Sequence, residues 1–239
     1  MISEPSTDRA STPAFSGDQP PADGRLFLLA AVTFFAGSAV LTRTGQPGAA
    51  TPTPWMVSHL LWFVAAALLL AGTVAHVRRR LGTVGLTAVG LAALGVLHTL
   101  QWATWVYVDV TAYRLGARGR LFDPLLHPFG TGHALMDGVL VGGVVALLGW
   151  RVARRTDARW LGRAGVAVGA AAVLAGLVSL GRFAPTRSPT ALATIGLIAL
   201  GYAWVLLLGA SLRYRSTALL AGASTGPGER ASHRSGSTR

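Results

Sequence analysis

The sequence predicts an all-α, polytopic membrane protein, a six-helix transmembrane bundle oriented N-in/C-in. Three observations carry this. Hydrophobic residues make up 51% of the chain and charged residues 13%, against roughly a quarter charged in soluble domains. The mean hydropathy is +0.50. The apolar residues stand in long blocks separated by short segments containing Arg, Pro and Gly. Each block approaches the roughly 20 residues that a helix needs to cross the hydrocarbon layer.

In chain order, residues 1–25 are rich in Pro, Ser, Asp and Gly and are expected to form a disordered cytoplasmic tail. A secretory signal has a short basic start, whereas this stretch is long and slightly acidic. The transmembrane domain is expected over 26–213. Its first span, about 26–42, is short and uncharged, and a Gly/Pro/Thr loop follows. The second, 55–77, closes on Arg78, Arg79 and Arg80. The third is 81–108. Residues 109–132 form the longest internal loop, ending in the Pro/Gly-rich HPFGTG. Spans 133–150, 161–180 and 191–212 complete the set, and 214–239 reads as a disordered basic tail.

Arginine sets the orientation. With the N-terminus inside, the inner segments hold Arg25, Arg78 to Arg80, Arg151, Arg154, Arg155, Arg159, Arg163, Arg213 and Arg215, besides the tail arginines. The outer loops hold Arg43, Arg114, Arg118, Arg120, Arg182 and Arg187. The positive-inside rule therefore places both ends in the cytoplasm; the expected location is the inner (cytoplasmic) membrane. The formal charge of +12 comes entirely from Arg, with no Lys. No soluble domain is available to present this charge as a basic face, so nucleic acid is not an expected partner. The bilayer is the expected partner, together with a possible helix–helix partner subunit. Cys is absent, which excludes disulfides, thiolate metal sites and a cysteine nucleophile.

The third span carries the most informative pattern. His98, Gln101, Trp102, Trp105 and Asp109 recur at i, i+3, i+4, i+7 and i+11 and so share one helical face. A histidine on a polar stripe within the membrane should face protein rather than lipid. Spans two and four add His59, His133 and Asp137, while spans one, five and six have no ionisable group in their interiors. His76, beside three arginines, reads as an interfacial side chain. His59, His98, His133 and Asp137 all fall toward the outer leaflet. Imidazole binds transition metals and haem, and a carboxylate one turn from a His, as in His133–Asp137, ligates or orients it. These four are the candidate ligands for a transition metal or haem b. Gln101, Trp62, Trp102 and Trp105 are the candidate lining. Arg114, Arg118 and Arg120 in the long outer loop are candidates for binding an anion.

Helical rise sets a constraint on that site. His98 lies about 13 Å inward of Tyr107 and His59 about 6 Å inward of Trp55, so one metal between them needs helix tilt. Two other readings use the same residues. The polar groups could fix helix packing in a non-catalytic accessory or scaffold subunit, or line a small transporter. Glycines at 138 and 142, and at 165 and 169 with 162 and 176 nearby, have the small-residue spacing that lets helices approach closely. Gly85, Ala88, Ala92 and Gly95 offer the same in span three. Ser58, His59, His133 and Asp137 resemble the Ser/His/Asp inventory of membrane-embedded zinc hydrolases of the alkaline ceramidase type. Those have seven helices and a paired His motif in the last, whereas span six here has no His. No family is assigned, and neither HExxH nor a P-loop occurs.

Overall fold

The computed structural model describes residues 22–44, 52–81, 85–114, 122–155, 158–181 and 189–224. They form six helices, α1 (Ala22–Thr44), α2 (Pro52–Leu81), α3 (Leu86–Arg114), α4 (Phe122–Arg155), α5 (Arg159–Gly181) and α6 (Pro189–Ser224), with no strand among the described residues. All six are long and apolar enough to cross a membrane. The helix starts follow capping chemistry. Asp23 sits in the first turn of α1, where a carboxylate meets the positive end of the helix dipole. Pro52 and Pro189 open α2 and α6, where a missing N–H costs nothing.

The largest departures from the expected span limits are the start of α4 and the end of α6, while α3 runs over 86–114 rather than 81–108. Helix α4 starts at Phe122, inside the stretch expected to be a loop; Pro124 falls in its first turn, where an amide hydrogen has no partner within the helix. Helix α6 continues past Leu212 to Ser224, because Arg213–Ser224 contains no helix breaker before Gly222.

Each helix packs antiparallel to the next. Around the bundle the order is α1, α2, α3, α4, α6 and back to α1, with α5 packed outside against α4 and α6. Helix α4 is the most enclosed of the six. Its contact with α5 is a seam of small residues. A side chain on Gly142 would lie 2.7 Å from the Gly169 carbonyl oxygen, and one on Gly149 2.6 Å from the Val166 nitrogen. A side chain on Gly162 would collide with the Ala153 backbone. Gly138 meets Gly176 of α5 and also Thr194 of α6. The α5 glycines at this seam are thus 162, 169 and 176, seven residues apart. Gly165 instead faces the indole of Trp204, whose Nε1 donates to the Leu161 carbonyl at 2.8 Å. In span three, Gly95 packs against Leu70, while Gly85 has nothing near it.

The core between the helices is apolar, with Phe27, Leu69, Leu91, Val144, Val145, Leu148 and Val205 buried. Large apolar side chains such as Leu29, Leu60, Leu100, Leu174 and Leu207 face outward instead. Apolar burial inside and apolar exposure outside together suggest a lipid environment. The antiparallel order gives the bundle two ends. At one, α1, α3 and α5 begin and α2, α4 and α6 finish. Every arginine whose side chain is described (Arg25, Arg78, Arg79, Arg151, Arg154, Arg159, Arg163 and Arg213) lies at this arginine end. His59, Trp62, Trp102 and Trp105 belong to the other.

Candidate functional site

On the inward face expected of the third span, His98 and Trp102 are buried, while the side chain of Asp109 lies outside the described residues. His98 is 1% exposed, midway along α3. Its Nδ1 lies 3.1 Å from Oδ1 of Asp137 on α4. Its Nε2 lies 3.2 Å from the Tyr202 hydroxyl on α6. One imidazole on α3 therefore reaches two further helices, α4 and α6, through its two nitrogens. The two contacts differ in quality. The Tyr202 contact has hydrogen-bond geometry, whereas the approach to Asp137 is short but misaligned, leaving Nδ1 and Oδ1 without a hydrogen bond among the described residues.

Tyr202 extends this centre to the remaining helices of the ring. Its phenol stacks on Phe34 of α1 with centroids 3.9 Å apart and planes 6° from parallel. Phe34 also stacks on Trp62 of α2 at 6.3 Å. The Trp62 indole is anchored in turn, since Nε1 lies 3.2 Å from the Phe34 carbonyl and 3.3 Å from Ser38 Oγ. Phe34, Trp62, His98, Asp137 and Tyr202 thus link α1, α2, α3, α4 and α6 in one continuous set of contacts.

His59 occupies a separate environment. It is buried, and its ring lies 5.7 Å from Trp62, 5.6 Å from Trp102 and 5.9 Å from Trp105. Trp62 and Trp102 meet edge to face at 4.9 Å. Three of the expected lining residues, Trp62, Trp102 and Trp105, thus lie around His59. Trp105 and Gln101 are half-buried, and Trp102 is buried. No group of three or more His, Cys, Asp or Glu side chains able to hold a metal occurs among the described residues. Bis-imidazole haem ligation needs two rings facing one another. Here the His59 ring is packed among indoles and the His98 ring lies between Asp137 and Tyr202.

The remaining expected residues are only partly described. His133 lies in α4, one turn before Asp137, and Arg114 near the end of α3, but their side chains are outside the described residues. Arg118 and Arg120 lie outside them altogether. In the tail, Gly222-Ala-Ser-Thr-Gly226 has the letters of a G-x-S-x-G nucleophile elbow. That motif works on a strand-to-helix turn, whereas α6 is helical through Ser224.

A second buried cluster lies at the arginine end, beside the arginines that follow His76 in sequence. The Nδ1 of His76 lies 3.0 Å from Oδ2 of Asp23, and both side chains are buried. The backbone N–H of Gly24 donates to Asp23 Oδ1 at 3.1 Å, and Arg79 approaches the same oxygen at 4.0 Å. The sequence pattern does not single out Asp23, which precedes the first apolar block and shares the composition of the tail. Nor does it single out Tyr202, which stands in a wholly apolar run, where tyrosine looks like any other core aromatic.

Fold and site together define a class, an all-helical protein with six helices of membrane-spanning character and a buried polar centre between them. Comparison with protein-family models, curated proteins and solved structures finds no match to this chain.

Proposed function

We propose that this chain is a multi-pass protein of the cytoplasmic membrane, N-in/C-in, acting as a non-catalytic accessory or scaffold subunit. Its buried polar residues fix the register of the helices. The observation that supports this reading is His98, which meets an oxygen from α4 through one ring nitrogen and an oxygen from α6 through the other. Polar contacts between membrane helices are worth about 0.6 kcal/mol on average. Their larger value here is specificity, because sliding any one helix by a residue would strand a buried polar group. The orientation is supported by the arginine end, where exposed Trp150 carries Arg154 over its ring at 4.1 Å and Trp160 is also exposed. Aromatic and basic side chains together mark the membrane–water boundary.

A second reading, a transition-metal site, rests on one observation. His98 Nδ1 and Asp137 Oδ1 are 3.1 Å apart and not hydrogen-bonded to each other. Nitrogen and oxygen ligands on one metal, each about 2.0–2.2 Å from it, stand at about this separation. His133 is the third ligand that the sequence supplies, and such a metal would act as a Lewis acid. Metal analysis and a visible spectrum of protein purified without chelators separate the readings. The scaffold reading expects no stoichiometric metal, no haem band, and a folded, membrane-retained His98→Gln variant destabilised by about 1 kcal/mol. A bound metal that is lost in His98→Gln would replace it with the metal reading.

A further inference from the structure

The surface of α2 at the arginine end carries a feature that the polar centre does not use. An apolar groove of about 560 Å³ runs along it, lined by Ala67, Leu70, Ala71, Val74, Ala75 and, at its end, Arg78 and Arg79. The sequence explains its shape. Ala67, Ala71 and Ala75 recur every four residues and fall on one side of the helix, where their short side chains leave the depression. Leu70, which also packs against Gly95 of α3, forms part of its wall.

We propose that this groove binds one anionic phospholipid, with an acyl chain along the alanines and the phosphate on Arg78 and Arg79. The proposal rests on the membrane placement argued above. Three features fit that occupant. From Ala67 to Arg78 the helix rises about 16 Å, and one leaflet of a hydrocarbon core about 30 Å thick spans about 15 Å. The groove is apolar along that length and basic only at its end, which matches the division between tail and headgroup. Both arginines are exposed. The carboxylate near them, Asp23, is 2% exposed and hydrogen-bonded to His76; it approaches Arg79 at 4.0 Å, the limit of an ion pair, and leaves Arg78 at the groove mouth. Arg78 makes no ion pair among the described residues.

The test is native mass spectrometry of the full chain in detergent with equal amounts of palmitoyl-oleoyl phosphatidylglycerol and phosphatidylcholine. One phosphatidylglycerol should be retained in preference to phosphatidylcholine. Arg78→Gln should lower that preference about five-fold, the worth of one charge near an anionic lipid surface. Ala71→Trp, which fills the groove from a lipid-facing position without altering charge, should lower retention as well. Arg163→Gln removes a charge elsewhere at the same end and should change nothing. Excess inorganic phosphate should not displace the lipid. Equal retention of the two lipids, unchanged binding in Ala71→Trp, or displacement by phosphate would overturn the proposal. An Arg163→Gln effect as large as that of Arg78→Gln would also overturn it, leaving only a general basic belt. Alkaline carbonate washing tests the underlying reading separately. Release from membranes would sink the membrane placement, whereas retention without lipid preference would sink only this site.

Discussion

Among the described residues the bundle contains two carboxylate–imidazole pairs, Asp23–His76 and Asp137–His98, with almost equal separations of 3.0 and 3.1 Å. They differ in how completely they are satisfied. At the arginine end Asp23 accepts an aligned hydrogen bond from His76 and another from the Gly24 backbone, with Arg79 at 4.0 Å. In the middle of the bundle His98 approaches Asp137 out of alignment, and its other partner is a phenol rather than a cation. The first pair ties the start of α1 to the end of α2. The second ties α3 to α4 and α6 but leaves a buried nitrogen and a buried oxygen short of full bonding. Equal distance therefore does not mean equal role. The satisfied pair is a latch, while the other depends on the aromatic packing around it.

The largest expected effect follows from that dependence. Tyr202 is 1% exposed, stacked on Phe34 and bonded to His98. Tyr202→Ala removes both the stack and the bond and should destabilise the protein by about 3–5 kcal/mol, as truncating a buried aromatic does. Tyr202→Phe keeps the stack and loses only the hydroxyl, for about 1 kcal/mol. Thermal unfolding in detergent measures both. Similar losses in the two variants would show that the hydrogen bond, rather than the ring, supports the centre.

How much of this was legible beforehand depends on how far apart the interacting residues lie in the chain. Length and apolar content alone indicate six helices. The three- and four-residue spacing of His98, Gln101, Trp102 and Trp105 indicates an inward face, and His98 and Trp102 are indeed buried. Asp137 meets His98 across two helices that are consecutive in the chain, the easiest kind of contact to foresee. Tyr202 and Phe34 belong to helices far from α3 in sequence, and helical periodicity does not say which helices become neighbours. Rotation about the helix axis is equally hidden. Gly165 and Gly169 look like one motif, yet one faces α6 and the other α4. His59 and His98 are both buried, but nothing in their spacing reveals that indoles enclose the first.

The two carboxylates supply a sharper test of the comparison. Asp23→Asn weakens a charge-assisted, aligned bond and should cost about 1.5 kcal/mol. Asp137→Asn alters a contact that is already misaligned, and its amide still offers a donor and an acceptor to His98, so it should cost less than about 1 kcal/mol. Measured in the same detergent, Asp23→Asn should therefore be the more damaging. The reverse order would mean that the central pair is the stronger one and that the contrast drawn from alignment is mistaken.

The smallest effect concerns Arg79. Its guanidinium is 4.0 Å from Asp23 Oδ1, at the limit of an ion pair, and its side chain is 42% exposed. Water and salt screen a charge in that position, and holding a long side chain in one geometry costs entropy. Asp23 also keeps its bonds to His76 and the Gly24 amide when Arg79 is gone. Arg79→Gln should consequently change stability by less than about 0.5 kcal/mol, with the remaining difference shrinking as salt is raised. A salt-independent loss as large as that of Asp23→Asn would show that Arg79 is held as tightly as His76. The latch would then be a triad, and Arg79 would be too firmly engaged to serve a lipid phosphate.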